Sequence, residues 1–179
     1  MKNRNFRSMT AIMVMVVLCF AVIAAVNGSV AKGRKAPGFK LQSLSGKYVT
    51  LDDLLKGSPK ARNKVVVMDF WATWCPPCRE ETAVLQKLHE EYASKGVAVV
   101  GISVDRGGWN DIRPFVKEHK LTYTVLADPD NKVAGPLYAV RGIPDTYILD
   151  NNGVVRFHYS GSFPGMDKQL EKDLQSLLK

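Results

Sequence analysis

The apolar positions fall into blocks of two kinds. Residues 64–72 (KVVVMDFWA) and 97–105 (VAVVGISVD) are almost continuous apolar runs rich in β-branched residues. Such runs suit strands buried on both faces. Between them Val84, Leu85, Leu88 and Tyr92 recur at helical spacing, which predicts a helix from Pro76 to Ala93, ended by Gly96. Residues 39–51 (FKLQSLSGKYVTL) predict two short strands around a Ser45-Gly46 turn, and 52–63 (DDLLKGSPKARN) a short helical turn running into a Gly/Pro loop.

Residues 109–119 (WNDIRPFVKEH) predict a helix with a kink or a late start at Pro114. Residues 121–128 (LTYTVLAD) follow as a strand, and 129–140 (PDNKVAGPLYAV) as a short helix or loop. Residues 141–150 (RGIPDTYILD) turn into a strand, Asn151 to Gly153 signals a hairpin, and 154–161 (VVRFHYSG) is its partner. Leu170, Leu174, Leu177 and Leu178 make the stripe of a last amphipathic helix. Strand–helix–strand alternation predicts an α/β fold with parallel neighbours, and the late hairpin adds an antiparallel edge.

With 179 residues, 46% hydrophobic and 23% charged, the chain has material for one well-filled domain. The first residues differ from the rest. A basic stretch with Lys2, Arg4 and Arg7 precedes sixteen unbroken apolar residues, 11–26, and Ser29 and Ala31 follow in small-x-small positions. This is the layout of a secretory signal. A membrane span takes about 20 apolar residues, so the run is short for one, and an uncleaved N-terminal anchor is the alternative. Either way the domain is expected to be exported, as a leader of residues 1–31 and a folded domain of 32–179, with 32–38 as linker. Leu18 is too large for a lipoprotein cleavage box, so Cys19 reads as a small hydrophobe. The leader supplies three of the eight net positive charges and the remainder are scattered, so nucleic acid is not an expected partner.

Outside the leader only Cys75 and Cys78 remain, in FWATWCPPCREE (70–81). One pair closing so small a loop removes little entropy from the unfolded chain, so a purely structural disulfide explains it poorly. Zinc needs a second pair or histidines at ligand spacing, and His89, His119 and His158 stand singly. Cu(I) is harder to set aside, because thiolates suit it. Redox chemistry fits the local structure. Cys75 falls at the start of the 76–93 helix, where free N–H groups and the helix dipole favour a thiolate and lower its pKa below the free value of about 8.5. Pro76 fits the first helical position. Cys75 would attack a disulfide and Cys78, one turn in, would resolve the mixed disulfide.

VVVMDFWATWCPPCREE together with VRGIPDTYILD resembles the thioredoxin superfamily, most closely the exported TlpA/ResA/CcmG-type thiol–disulfide oxidoreductases. The resemblance runs from about Pro37 to Lys179. It implies a thioredoxin-like three-layer sandwich with a mixed sheet, an N-terminal β-hairpin extension and a helical insert. It makes Cys75 the nucleophile, Cys78 its buried partner and Pro144 a cis-proline facing them, with the Ile143 backbone free to pair with an extended substrate. Trp74 and Pro76 join them as substrate-binding positions.

At the family's buried-carboxylate position stands Asp69. Burial would raise its pKa and let it accept the Cys78 proton through water. Glu81 would support proton transfer. No cofactor or metal is implied. Protein thiols and disulfides are the substrates, and a reductant of this type, for cytochrome c maturation or copper-site assembly, is recharged by a membrane electron donor. Nothing asks for more than a monomer. Ala83 stands where the family often has a helix-kinking proline. Asp145 replaces the usual Thr after the cis-proline, which is expected to put an acid beside the substrate groove and disfavour acidic segments. Trp71 and Trp74 are core or rim residues, and Trp109 packs the insert. A thiol peroxidase is disfavoured, because its Pro-x-x-x-Thr-x-x-Cys setting is missing before Cys75. A copper-binding assembly chaperone is the reading from another class.

Overall fold

The nearly continuous apolar run at 65–71 becomes an interior strand of a seven-stranded sheet. The computed structural model describes residues 30–57 and 64–179. The 11–26 run, Cys19 and Ser29 lie outside the described residues, so the leader expectation does too, as does most of the loop after Gly57. The strands are β1 (Lys40–Ser43), β2 (Tyr48–Thr50), β3 (Val65–Trp71), β4 (Val97–Ser103), β5 (Thr124–Ala127), β6 (Asp145–Asp150) and β7 (Val155–Ser160), in the spatial order β2-β1-β5-β4-β3-β6-β7. Among the described residues the helices are α1 (Leu51–Lys56), α2 (Pro76–Tyr92), α3 (Trp109–Glu118) and α4 (Met166–Leu178). The β3–β4 and β4–β5 pairs are parallel, and β6 runs antiparallel to β3.

All seven residues of β3 are buried, because helices or loops cover both sides of the sheet. Alternation along β3 and its register with β6 sort the side chains into two faces. On one face lie Asp69, Trp71 and, opposite Asp69, Thr146. Trp71 packs there on Phe115 of α3, with ring centroids 5.0 Å apart. Tyr92 of α2 donates to Glu171 of α4 at 3.0 Å, joining a second pair of helices. The other face carries Phe70 and Tyr147, both packed on Tyr138 at 5.1 and 5.5 Å. Tyr138 comes from residues 129–140, which fold as turns. The core is thus filled on both sides of β3, as expected of a three-layer sandwich.

Local sequence accounts for the joints. Thr50 and Asp53 cap α1 reciprocally: Thr50 Oγ1 accepts from Asp53 N at 3.1 Å, and Asp53 Oδ2 accepts from Thr50 N at 2.9 Å. Gly96 (φ 90°) ends the short 3₁₀ turn after α2 in a left-handed conformation that favours glycine. Pro114 does not delay α3, which begins at Trp109. A late start is not needed, since proline deprives only the Asn110 carbonyl, in the first turn, of its partner. Trp109 Nε1 donates to Gln42 Oε1 at 3.2 Å, tying the insert to the N-terminal hairpin. Among the described residues no helix is long and apolar enough to cross a membrane.

Candidate active site

β3 delivers the chain to Cys75 through a pinned loop. Asp105, just past β4, is buried and accepts from Thr73 N at 3.0 Å, Thr73 Oγ1 at 2.7 Å and Ser103 Oγ at 2.7 Å. Arg79 Nε donates to Thr73 O at 3.0 Å from the α2 side. Cys75 is the N-cap of α2, with Pro76 and Pro77 in the first helical positions and no acid in the first turn. Its Sγ accepts from Cys78 N at 3.4 Å. The two cysteines form a disulfide with Cα atoms 5.3 Å apart. Cys75 keeps 4% of its surface exposed and Cys78 none, while Trp74 beside them is 67% exposed.

The Ile143–Pro144 peptide is cis. It brings the Ile143 carbonyl oxygen to 3.7 Å from Cys75 Sγ, a van der Waals approach while that sulfur is in the disulfide. Among the described residues neither the N–H nor the C=O of Ile143 takes a backbone hydrogen bond. Asp145 departs from the sequence expectation. Its carboxylate is not in the groove: it is buried and 2.9 Å from His158 Nε2, while His158 stacks on Tyr147. Register is the reason. Asp145 pairs with Phe70, so it points to the sheet face opposite Asp69.

A second polar cluster is built from β3, α2 and β6. Asp69 is fully buried and Glu81 is 3% exposed. Thr146 Oγ1 sits 2.5 Å from Glu81 Oε1 and 3.3 Å from Asp69 Oδ1. One hydroxyl carries one proton. It goes to Glu81 at the shorter distance, and the more distant Asp69 shares it or, when protonated, donates to the same oxygen. Desolvation holds the Asp69 carboxyl well above the usual range and raises Glu81 to about 7, each also disfavoured by neighbouring carboxylates. Burial and the same two carboxylates push the Tyr123 hydroxyl upward as well. Gly101, paired with Asp69, makes room: a Cβ there would lie 2.7 Å from Trp71 Nε1 and 3.1 Å from the Tyr123 ring.

The structure therefore gathers Cys75, Trp74, Pro76 and Ile143 around the disulfide, with Cys78 and Pro144 buried behind them, and places Asp69 and Glu81 together on Thr146. Thr146, Tyr123, Asp105 and Gly101 belong to the site without any mark in the sequence. Glu81 was locatable, because it shares the buried α2 stripe with Cys78, Leu85 and Leu88. Thr146 carried no such signal, since its position depends on a pairing across 77 residues. Among the described residues no three of His, Cys, Asp or Glu converge as a metal site.

The family model described as the AhpC/TSA family matches residues 32–158. The chain belongs to that family. It is 35% identical over 144 residues to "Thioredoxin-like protein YneN" of Bacillus subtilis, covering 80% of this chain and 79% of the relative. It is 34% identical to "Thiol-disulfide oxidoreductase ResA" of Oceanobacillus iheyensis, covering 86% and 81%. A crystal structure from Chlorobium tepidum, reported as a thiol:disulfide interchange protein DsbE, is 32% identical with a TM-score of 0.76 and covers 84% of this chain and all of that one. The thioredoxin-like fold expected from the sequence is the fold observed.

Proposed function

We propose that the protein is a thiol–disulfide oxidoreductase acting on protein substrates as a reductant. The observation that carries this is a cysteine at a helix N-terminus, the more accessible of its pair, facing a cis-proline edge with free backbone groups. The names of the relatives support the same chemistry. The Cys75 thiolate attacks one sulfur of a substrate disulfide, and the other substrate sulfur leaves as a thiol. Cys78 then loses its proton and attacks Cys75 Sγ. The second substrate sulfur leaves and takes up a proton, and the Cys75–Cys78 disulfide remains. Two electrons pass to the substrate. The Asp69–Glu81 pair takes up the Cys78 proton on a carboxyl that is ionised at that moment, Asp69 through water and Glu81 in support, and Trp74, Pro76, Ile143 and Pro144 form the docking edge.

Residues 1–31 are read as the leader or anchor that exports the domain of 32–179. A reductant placed outside the cytoplasm needs electrons from within, so a membrane carrier is the donor, and cytochrome c maturation or copper-site assembly is the setting. The test is the reduction potential of the Cys75–Cys78 couple, by equilibration in thiol/disulfide buffers. A value near or below about −270 mV is expected of a reductant, and a value near about −120 mV would make the protein an oxidant.

A further inference from the structure

A groove of about 320 Å³ opens beside the disulfide, with Ala134, Val140 and Ile143 as apolar lining, Trp74 as a wall, and Arg106 and Arg141 at its rim. Both arginines are exposed. Among the described residues neither has an ion-pair partner. Of the carboxylates close to them in the chain, Asp111 lies against Gly107 without an ion pair among the described residues but outside the groove lining, and the others are engaged elsewhere. Asp105 holds the Thr73 loop. Asp128 accepts from the backbone N–H groups of Lys132, Val133 and Ala134. Asp130 pairs with Lys132, and Asp145 lies turned inward against His158. The groove next to Cys75 is thus apolar at its floor and cationic at its rim, the reverse of the acidic groove expected from Asp145.

We propose that this groove selects extended substrate segments carrying carboxylates beside the reactive cysteine. An incoming segment pairs its backbone with Ile143, lays an apolar side chain on Trp74 and Val140, and sets acidic side chains against Arg106 and Arg141. The guanidinium fork suits carboxylates, and two such pairs at an exposed rim favour an acidic segment modestly and in a salt-dependent way. The inference rests on the thiol–disulfide exchange reading and names the substrate chemistry for that site.

The test uses the full chain in reduced form and three peptides of equal length, each with one intramolecular disulfide flanked by two glutamates, two glutamines or two lysines. Hydroxyethyl disulfide, small and neutral, reports the thiol chemistry alone in the same unaltered chain. Read as single turnovers with peptide in excess, the half-saturating concentration (KM) for the glutamate peptide is expected to be about fivefold below that for the glutamine peptide, and lower still relative to the lysine peptide, with the limiting rate (kcat) little changed. The preference should vanish in the Arg106→Gln/Arg141→Gln chain and shrink on adding about 0.5 M salt. Equal KM for all three peptides, or a preference untouched by the double substitution, would overturn the inference while hydroxyethyl disulfide is still reduced. If neither hydroxyethyl disulfide nor any peptide is reduced, the exchange reading itself is wrong and the inference goes with it.

Discussion

Replacing Glu81 by Gln should stabilise the protein above neutral pH far more than in acid. Folding moves the Glu81 carboxyl from 4.5 to about 7, chiefly because burial disfavours its ionised form. Below 4.5 the folded and unfolded chains both hold the proton, and the residue adds nothing to the pH dependence. Between the two values the unfolded chain releases the proton while the folded chain keeps it. Stability therefore falls by about 1.4 kcal/mol per pH unit through this window and levels off above it, an integrated loss of about 3 kcal/mol. Gln removes the titrating proton and keeps an amide for Thr146. Urea unfolding of the oxidised full chain, followed by circular dichroism at pH 4.5, 6, 7 and 8, reads the effect. The difference between variant and wild type should shift in favour of the variant by about 3 kcal/mol from acid to pH 8. A difference that is the same at every pH would refute the burial argument. Asp69→Asn is expected to act in the same direction, because burial raises that carboxyl too.

Other residues make separate demands. Thr146→Val should cost about 1–3 kcal/mol, since it strands two buried carboxyls, and Thr146→Ser should restore most of it; equal losses would mean that the methyl group matters and the hydroxyl does not. Gly101→Ala should cost about 1–3 kcal/mol by overpacking against Trp71 and Tyr123, again read by urea unfolding, and a neutral result would show that those rings move aside freely. In the reduced protein iodoacetamide should label Cys75 well before Cys78, with a reactivity midpoint below about 8.5; mass spectrometry of the labelled peptide decides between them.

The elements written as strong periodic signals were legible. β3 and β4 are near-continuous apolar runs, α2 carries a helical stripe, and Asn151 to Gly153 makes the β6–β7 turn as expected. WCPPC located the disulfide, because strand end, N-cap and proline positions are all local features. What depended on register was not legible. Asp145 follows the cis-proline by one residue, and a single-residue step in a strand changes the face a side chain meets. The expectation of an acidic groove therefore inverted. Thr146, paired with Asp69 on the other face, is a common strand residue whose role exists only once β3 and β6 lie side by side. Asp105 looked like a strand end and proved to be the residue that pins the active-site loop, a job defined by backbone groups 32 residues away. Residues 129–140, ambiguous between helix and loop, fold as turns around Tyr138, whose hydroxyl donates to Pro37 O at 2.7 Å.

In the proposed reaction Cys75 attacks and Cys78 resolves, and trapping separates the two roles: Cys78→Ala and Cys75→Ala full chains are each reduced, mixed with insulin, quenched with acid and run on a non-reducing gel. A lasting mixed disulfide through Cys75 is expected in the Cys78→Ala chain and none in the Cys75→Ala chain, since only the accessible, helix-capping thiol meets the substrate. An adduct formed only through Cys78, or no adduct from either chain, would contradict it.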